Sequence, residues 1–310
     1  MARIHFIVNP LRPSIGLRWP YEEKMIESMT RDFQVHITRG RLHSEILTRT
    51  AMEAGAELIV CAGGDSTLSE IVNGLYRAGQ GGGPVPKLAL YAGLQQGDTV
   101  KGLRMRKTFL EFLTAYLAGE AIEEKIDVGE ARFTGDYGQQ VRRLFVNCAG
   151  FGFSSVIVDK LSRDYRISRT KFNFFRSIIS LAPLYRHPEV DIFVDGQKVY
   201  SNEDVLLGLI HNGNYGAYGL LLSPRSSFSD GILEYTIISK TFAYKYLLGI
   251  FPLFAGKLRT ASFVKQASCK EIKIVSEQTQ KKVRIDFDGD CWGFLPAEFR
   301  VLEKAITVVR

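Results

Sequence analysis

Ala62-Gly63-Gly64-Asp65-Ser66-Thr67-Leu68-Ser69-Glu70 follows directly on Leu58-Ile59-Val60-Cys61, and this junction governs the reading of the chain. The apolar run over residues 58–62 has the pattern of a strand covered on both faces. It enters two glycines, which tolerate backbone angles closed to other residues and let the chain approach a ligand closely. Thr67 and Glu70 have the Thr-x-x-Glu spacing of a capping box, so a helix is expected over residues 67–75. Free N–H groups and the positive end of the helix dipole then favour a bound phosphate. Asp65 would repel a phosphate placed directly on it; it is suited to hold a cation bridging phosphates or to orient a water. Taken alone, Gly-Gly-Asp leaves an ordinary strand-turn-helix connection equally open.

Working outward, the first third alternates strand and helix signals. Residues 4–8 read as a strand ending at Asn9-Pro10, residues 21–30 as a helix and residues 34–38 as a strand. Residues 44–54 carry Ile46, Leu47 and Ala51 at helical spacing, with Gly55 behind them. Residues 87–91 form a further strand and residues 107–117 a further helix. This rhythm implies an α/β N-terminal domain with an open, mostly parallel, Rossmann-like sheet. From Asp127 the character changes to short strands separated by turn signals: residues 144–149, 190–194, 205–212, 232–238, 271–275 and 283–287. They imply a C-terminal antiparallel β-sandwich domain with inserted helices over residues 153–161 and 172–184. The expected boundaries are 1–126 and 127–299, with residues 300–310 returning to the first domain through the β-rich stretch 305–309.

The chain has 310 residues, 45% apolar and 24% charged, which suits globular domains and excludes disordered or fibrous classes. No apolar run approaches the roughly 20 residues of a membrane-spanning helix. The first residues lack a small-residue cleavage site, so a cytoplasmic protein is expected. Cys61, Cys148, Cys269 and Cys291 form no Cys-x-x-Cys pair, and His5, His36, His43, His187 and His211 share no ligand spacing; both sets read as structural. A net charge of +7 favours anionic partners: nucleotides, nucleic acid or an anionic membrane face. No recognised motif supports nucleic acid. Lys160, Arg163, Arg166, Arg169, Lys171 and Arg176 interleave with Tyr165, Phe172, Phe174 and Phe175, a mixture suited to an anionic membrane interface. Lys240, Lys245, Lys257, Arg259 and Lys265 form a second basic stretch. A solvated basic face over core aromatics is the competing reading of both.

The stretch from Gly63 to Leu75, Gly-Gly-Asp-Ser-Thr-Leu-Ser-Glu-Ile-Val-Asn-Gly-Leu, resembles the signature of the diacylglycerol kinase catalytic family. That family includes soluble bacterial diacylglycerol kinases, related bacterial lipid kinases, sphingosine kinases and ceramide kinases. Further blocks resemble it in order: Asn9-Pro10, Thr38 with the helix from His43, Asp127-Val128-Gly129, and Asn147-Cys148-Ala149-Gly150-Phe151-Gly152-Phe153. Asn212-Gly213-Asn214-Tyr215-Gly216, Pro224 and Asp230-Gly231-Ile232-Leu233 follow, then Asp288-Gly289-Asp290 and Leu295-Pro296-Ala297.

The resemblance implies an ATP-dependent lipid kinase with magnesium, acting on the hydroxyl of diacylglycerol or a similar lipid between two domains. It places Asn9, Thr38, Gly63, Gly64, Asp65, Ser66, Thr67, Gln95, Asp98 and Asp290 at the nucleotide. Asp65, Asp98 and Asp127 organise metal, and Asp288 accepts the hydroxyl proton. A second, structural magnesium is implied at Asp230 with the carbonyls of Ser227 and Ile232; a plain Asp-Gly turn is the other reading of that site. The lipid implies peripheral membrane contact, and a homodimer is carried as an expectation. Independently of the family, phosphoryl transfer needs carboxylates for a metal and one near the accepting oxygen. Asp286, Asp288 and Asp290 alternate along a strand-like segment and by period two would share one face; exposed strand-end or turn carboxylates are the other reading of the three.

Two departures stand out. Ser66 occupies a family glycine position, at a cost of about 1 to 2 kcal/mol if the backbone there is left-handed. The family's Gly-Thr-x-Asn-Asp nucleotide loop reads Leu94-Gln95-Gln96-Gly97-Asp98 here. The altered loop keeps a second reading open, a non-catalytic lipid- or nucleotide-binding relative; a soluble-metabolite kinase is a third, opposed by the Asp-Gly-Asp block and the basic aromatic segment.

Overall fold

The structure is a computed structural model of the chain that describes residues 3–11, 13–91, 97–105, 108–163, 171–182, 185–242, 246, 262–276 and 282–310. It divides into a first unit of residues 1–127 and 304–310 and a second of residues 128–303.

In the first unit the order is β1 (Ile4–Val8), α1 (Pro13–Gly16), α2 (Trp19–Met29), β2 (Phe33–Ile37), α3 (His43–Glu53), β3 (Leu58–Ala62), α4 (Asp65–Gly79), β4 (Lys87–Leu90), α5 (Asp98–Gly102) and α6 (Phe109–Leu117). Parallel pairing runs β2-β1-β3-β4, with Phe6 opposite Val35 and Val60 and Cys61 opposite Leu90. Every residue of β1 and β3 is buried, as continuous apolar runs require when both sheet faces are covered. Phe6, Trp19, Tyr91, Phe109 and Phe112 fill the core, Phe6 lying 5.7 Å from Phe109 and 5.6 Å from Trp19 between ring centroids. Val309, from the end of the chain, belongs to the same core, and Val308 pairs in parallel with Leu88.

Beyond it come β5 (Glu123–Thr134), β6 (Gln140–Phe145), β7 (Cys148–Gly152), α7 (Phe153–Arg163), α8 (Lys171–Leu181), β8 (Glu189–Val194), β9 (Gln197–His211), β10 (Tyr215–Gly216), β11 (Leu220–Leu221), β12 (Leu233–Ser239), β13 (Val264–Cys269), β14 (Glu271–Val275), β15 (Arg284–Phe287) and β16 (Asp290–Val309). Antiparallel pairing runs β13-β12-β9-β7-β15-β16, and β8 joins β9 to β14. The core of the second unit is aromatic, with Phe133, Phe145, Phe151, Phe287 and Phe299 all essentially inaccessible. Gly129 lies opposite Phe145, whose ring fills the space a side chain would take: an added Cβ would lie 2.0 Å from it. α7 packs Phe153, Ile157 and Leu161 against Leu206 in a smaller cluster.

Three expectations need correction. The strand over residues 144–149 is two strands, because Val146 and Asn147 donate their N–H groups to the Asp288 carboxylate and break the ladder. Thr67 and Glu70 do not form a capping box. Helix α4 begins earlier, at Asp65 behind Gly64, with no side-chain cap, and both side chains bond to other elements. A capping box does occur at the start of the helix expected over residues 107–117, where no cap was singled out: Thr108 and Glu111 form it at the head of α6. Finally, Asp286, Asp288 and Asp290 do not alternate along one strand. Asp288 (φ 48°) and Gly289 (φ 87°) form the tight turn between β15 and β16. Positive φ at both central residues is the conformation that matches the twist of a hairpin.

Candidate active site

The glycine turn lies at the carboxyl end of β3, beside the carboxyl ends of β1 and β2. The Asn9 N–H donates to the Ala62 carbonyl at 2.9 Å and the Thr38 N–H to the Val8 carbonyl at 2.8 Å. These bonds carry the parallel ladder one step beyond the strands and set Asn9, Thr38 and the start of the turn in a row. Asn9 Nδ2 then donates to Thr67 Oγ1 at 3.0 Å, tying β1 to the first turn of α4. Gly63 is required by contact, since an added Cβ would lie 2.4 Å from the Cβ of Thr67. Gly64 is the extended N-cap of α4 and makes no side-chain cap bond. Ser66 lies within the first helical turn, outside the left-handed region, so its Cβ carries no backbone penalty. Thr38 is 3% exposed and its hydroxyl has no partner, a buried polar atom that a ligand oxygen would satisfy.

Asp65 turns toward the next element. Its Oδ2 accepts the Asp98 N–H at 3.1 Å and its Oδ1 the Thr99 N–H at 3.2 Å, so it caps α5. Gly97 makes this approach possible: a Cβ there would stand 2.8 Å from Asp65 Oδ1. Between the glycine turn, Tyr91 and Gly97 lies a recess of about 10 Å³, room for one water and far below the ~300 Å³ of a small-molecule pocket. Tyr91 donates its hydroxyl to Glu22 at 2.9 Å; burial and then that carboxylate push the phenol well above its usual range. Gln95 and Leu94 lie outside the described residues.

Asp127 is 1% exposed and accepts the Lys304 N–H at 2.7 Å. In the second unit, Asp288 is 7% exposed and accepts three backbone N–H groups: Val146 at 2.7 Å, Asn147 at 2.9 Å and Cys148 at 3.1 Å. Asp290 follows on the returning strand, opposite Phe287. Asp286 accepts from Ser154 Oγ at 2.6 Å, and burial raises its carboxyl to about 6. Asp230 is exposed and accepts the Ile232 N–H at 3.1 Å, the closure of an Asx turn; Ser227 is half-buried nearby in the chain. Among the described residues no group of three or more His, Cys, Asp or Glu side chains is placed to hold a metal on its own.

The structure adds one residue that the sequence did not single out for this purpose. Glu70, 5% exposed on α4, accepts the Leu42 N–H at 2.7 Å and the Ser44 N–H at 3.1 Å, fastening the start of α3. A local capping pattern masked this long-range role. Of the basic aromatic segments, Phe172 is 71% exposed beside the exposed Arg176, while Tyr165, Arg166, Arg169, Lys245, Lys257 and Arg259 lie outside the described residues. Lys240 and Lys265 are paired with Asp204 and Glu203. No described helix is long and apolar enough to cross a membrane.

Comparison with known proteins bears on both units. Residues 3–131 match the diacylglycerol kinase catalytic domain, and residues 148–310 match the YegS C-terminal NAD kinase beta sandwich-like domain. The chain is 25% identical over 266 residues to a diacylglycerol kinase of Bacillus subtilis (strain 168), covering 84% of this chain and 81% of that protein. It is 23% identical over 308 residues to a diacylglycerol kinase of Staphylococcus carnosus (strain TM300), covering 99% and 94%. Among solved structures, a diacylglycerol kinase from Bacillus anthracis str. Sterne superposes with a TM-score of 0.70 at 19% identity, over 99% of this chain and 96% of that one. Yeast NADH kinase complexed with NADH gives 0.52 at 12% identity, over 99% and 82%. At these identities both structures speak for the fold alone.

Proposed function

Because the chain belongs to the family that joins a diacylglycerol kinase catalytic domain to a YegS-type β-sandwich domain, we propose that it is an ATP-dependent lipid kinase transferring a phosphoryl group to the hydroxyl of diacylglycerol or a similar lipid. The observation that carries the proposal is the glycine turn at the carboxyl ends of three parallel strands, where open α/β sheets bind their ligands. The uncapped start of α4 and the unpartnered Thr38 hydroxyl suit phosphate oxygens. In this reading the phosphates lie over the strand ends, against the glycine turn.

Asp65 suits magnesium carried on the nucleotide. Two backbone bonds leave its carboxylate with about two of its four acceptor positions, and magnesium is ordinarily held by one or two carboxylates plus substrate phosphates. Magnesium and ATP supply the transferable group and neutralise its charge. Asn9, Thr38, Gly63, Gly64, Ser66 and Thr67 orient the phosphates, with Gln95, Asp98 and Asp290 at the nucleotide and Asp127 supporting the acidic set. Asp288 accepts the proton of the lipid hydroxyl. A structural cation at Asp230, with carbonyls of Ser227 and Ile232, belongs to the same proposal. The lipid requires transient contact with a membrane surface, for which Phe172 and Arg176 are suited.

The altered loop around Gln95 and the small recess favour one rival, a catalytically impaired binding relative. Transfer of labelled phosphate from Mg-ATP to a panel of lipid alcohols separates the two. Wild type transfers label, and Asp65→Asn and Asp288→Asn each lose about a hundredfold or more. A wild type that binds Mg-ATP without transfer establishes the rival; activity surviving both substitutions defeats the residue roles.

A further inference from the structure

The glycine turn and the first three turns of α4 carry no basic side chain: residues 62–75 contain Asp65 and Glu70 but neither Lys nor Arg, and Arg77, in the last turn of α4, is paired with Glu45. A polyphosphate there needs positive charge from elsewhere. The adjoining strand end supplies it. β2 is followed by Thr38-Arg39-Gly40-Arg41-Leu42, and both arginines are exposed. This short turn is held firmly. The Arg39 N–H donates to His43 Nδ1 at 3.0 Å, closing it, and the Glu70 carboxylate accepts Leu42 and Ser44 with its two oxygens. Leu42 has φ 64° and ψ −1°, a left-handed conformation unusual for a leucine and one that persists only where surrounding bonds enforce it. Glu70 lies one helical turn beyond Thr67, which itself is bonded to Asn9, the residue after β1. One face of α4 therefore holds both the residue that follows β1 and the start of α3, on the far side of the arginine turn from β2.

We infer that the arginine turn over residues 39–41 is the cationic side of the polyphosphate site, and that Glu70 is the residue positioning it. The inference rests on the kinase reading above. A buried carboxylate bonded to remote backbone, beside two exposed arginines, is a support for a binding loop. Arginine suits phosphate through its planar fork of donors.

The test titrates the full chain with Mg-ATP and, separately, with inorganic tripolyphosphate, and follows hydrogen exchange over residues 39–44. Replacing both arginines (Arg39→Gln with Arg41→Gln) weakens binding of both ligands about tenfold or more, and the loss shrinks at high salt. Glu70→Gln keeps one good acceptor in place of two. It speeds exchange at Leu42 and Ser44 and raises the KM for ATP several-fold while kcat at saturation changes little. Because the arginines are exposed, their double replacement reports even if Glu70→Gln folds poorly. Unchanged affinity in the double variant overturns the inference while wild-type binding leaves the kinase reading standing. So does Glu70→Gln with faster exchange but unaltered KM. A wild type that binds neither ligand overturns both readings together.

Discussion

Gly63 shows how one missing side chain shapes the site. With its Cβ position 2.4 Å from Thr67, Gly63→Ala forces Thr67 away from Asn9. The expected result is a loss of about 1 to 3 kcal/mol in denaturant unfolding and weaker ATP binding in calorimetry. Two buried titratable residues of the second unit act in opposite senses. Burial raises the Asp286 carboxyl from 3.8 to about 6, so its folded form holds a proton that the unfolded form releases. Its contribution is full below about pH 4 and lost as pH rises through 6. Asp286→Asn is therefore more stable than wild type at about pH 8 by up to about 3 kcal/mol, with the gain vanishing near pH 4. His211, wholly buried with neither ring nitrogen bonded, is pushed by burial from 6.5 to about 4. Its unfolded form takes up a proton first, so stability is lost as pH falls from 6.5 to 4. His211→Leu gains up to about 3 kcal/mol on wild type across that interval. Unfolding curves of each variant at several pH values check both; parallel profiles for wild type and variant would sink the assignments.

At the scale of elements, α3 and α4 are joined in three ways. Glu70 fastens the start of α3, Arg77 pairs with Glu45, and Gly74 lets the helices close. A Cβ on Gly74 would meet the Thr48 side chain at 2.8 Å and the Glu45 carbonyl oxygen at 3.0 Å. Gly74→Ala should destabilise by about 1 to 3 kcal/mol, and exchange should quicken in both helices. Most helices and strands were legible from periodicity, and β3 and β14 match to the residue. The misreadings share a cause. Thr67 and Glu70 carried a valid local pattern, yet Asn9 and the start of α3 offered those side chains other partners. The hairpin at Asp288 looked like a strand because alternation says nothing of a turn whose first residue is not glycine. The break at Val146 came from a carboxylate far away in the chain.

At the scale of the molecule, β16 contributes to both units: residues through 303 to the second, residues 304–310 to the first. Ile306, Val308 and Val309 are at most 3% exposed. Removing residues 304–310 withdraws three aliphatic side chains from the first unit, at about 1.5 to 3 kcal/mol each. Protection from hydrogen exchange should collapse across β1, β3 and β4 while the aromatic core of the second unit keeps its own. Uniform loss, or none, would count against this division of the chain.

The amino-acid order alone determined the alternation of strand and helix in the first third, the change to dense strands after Asp127, the glycine turn at residues 63–64 and the family. Each of these is written in short-range periodicity or in contiguous motifs. Tertiary structure alone decided where the carboxylates point. Asp65 caps a helix thirty-odd residues on, Asp288 takes N–H groups from the break before β7, and Glu70 fastens α3. A carboxylate's role follows from which donors the folded chain brings to it, and those donors are backbone groups with no signature in the sequence.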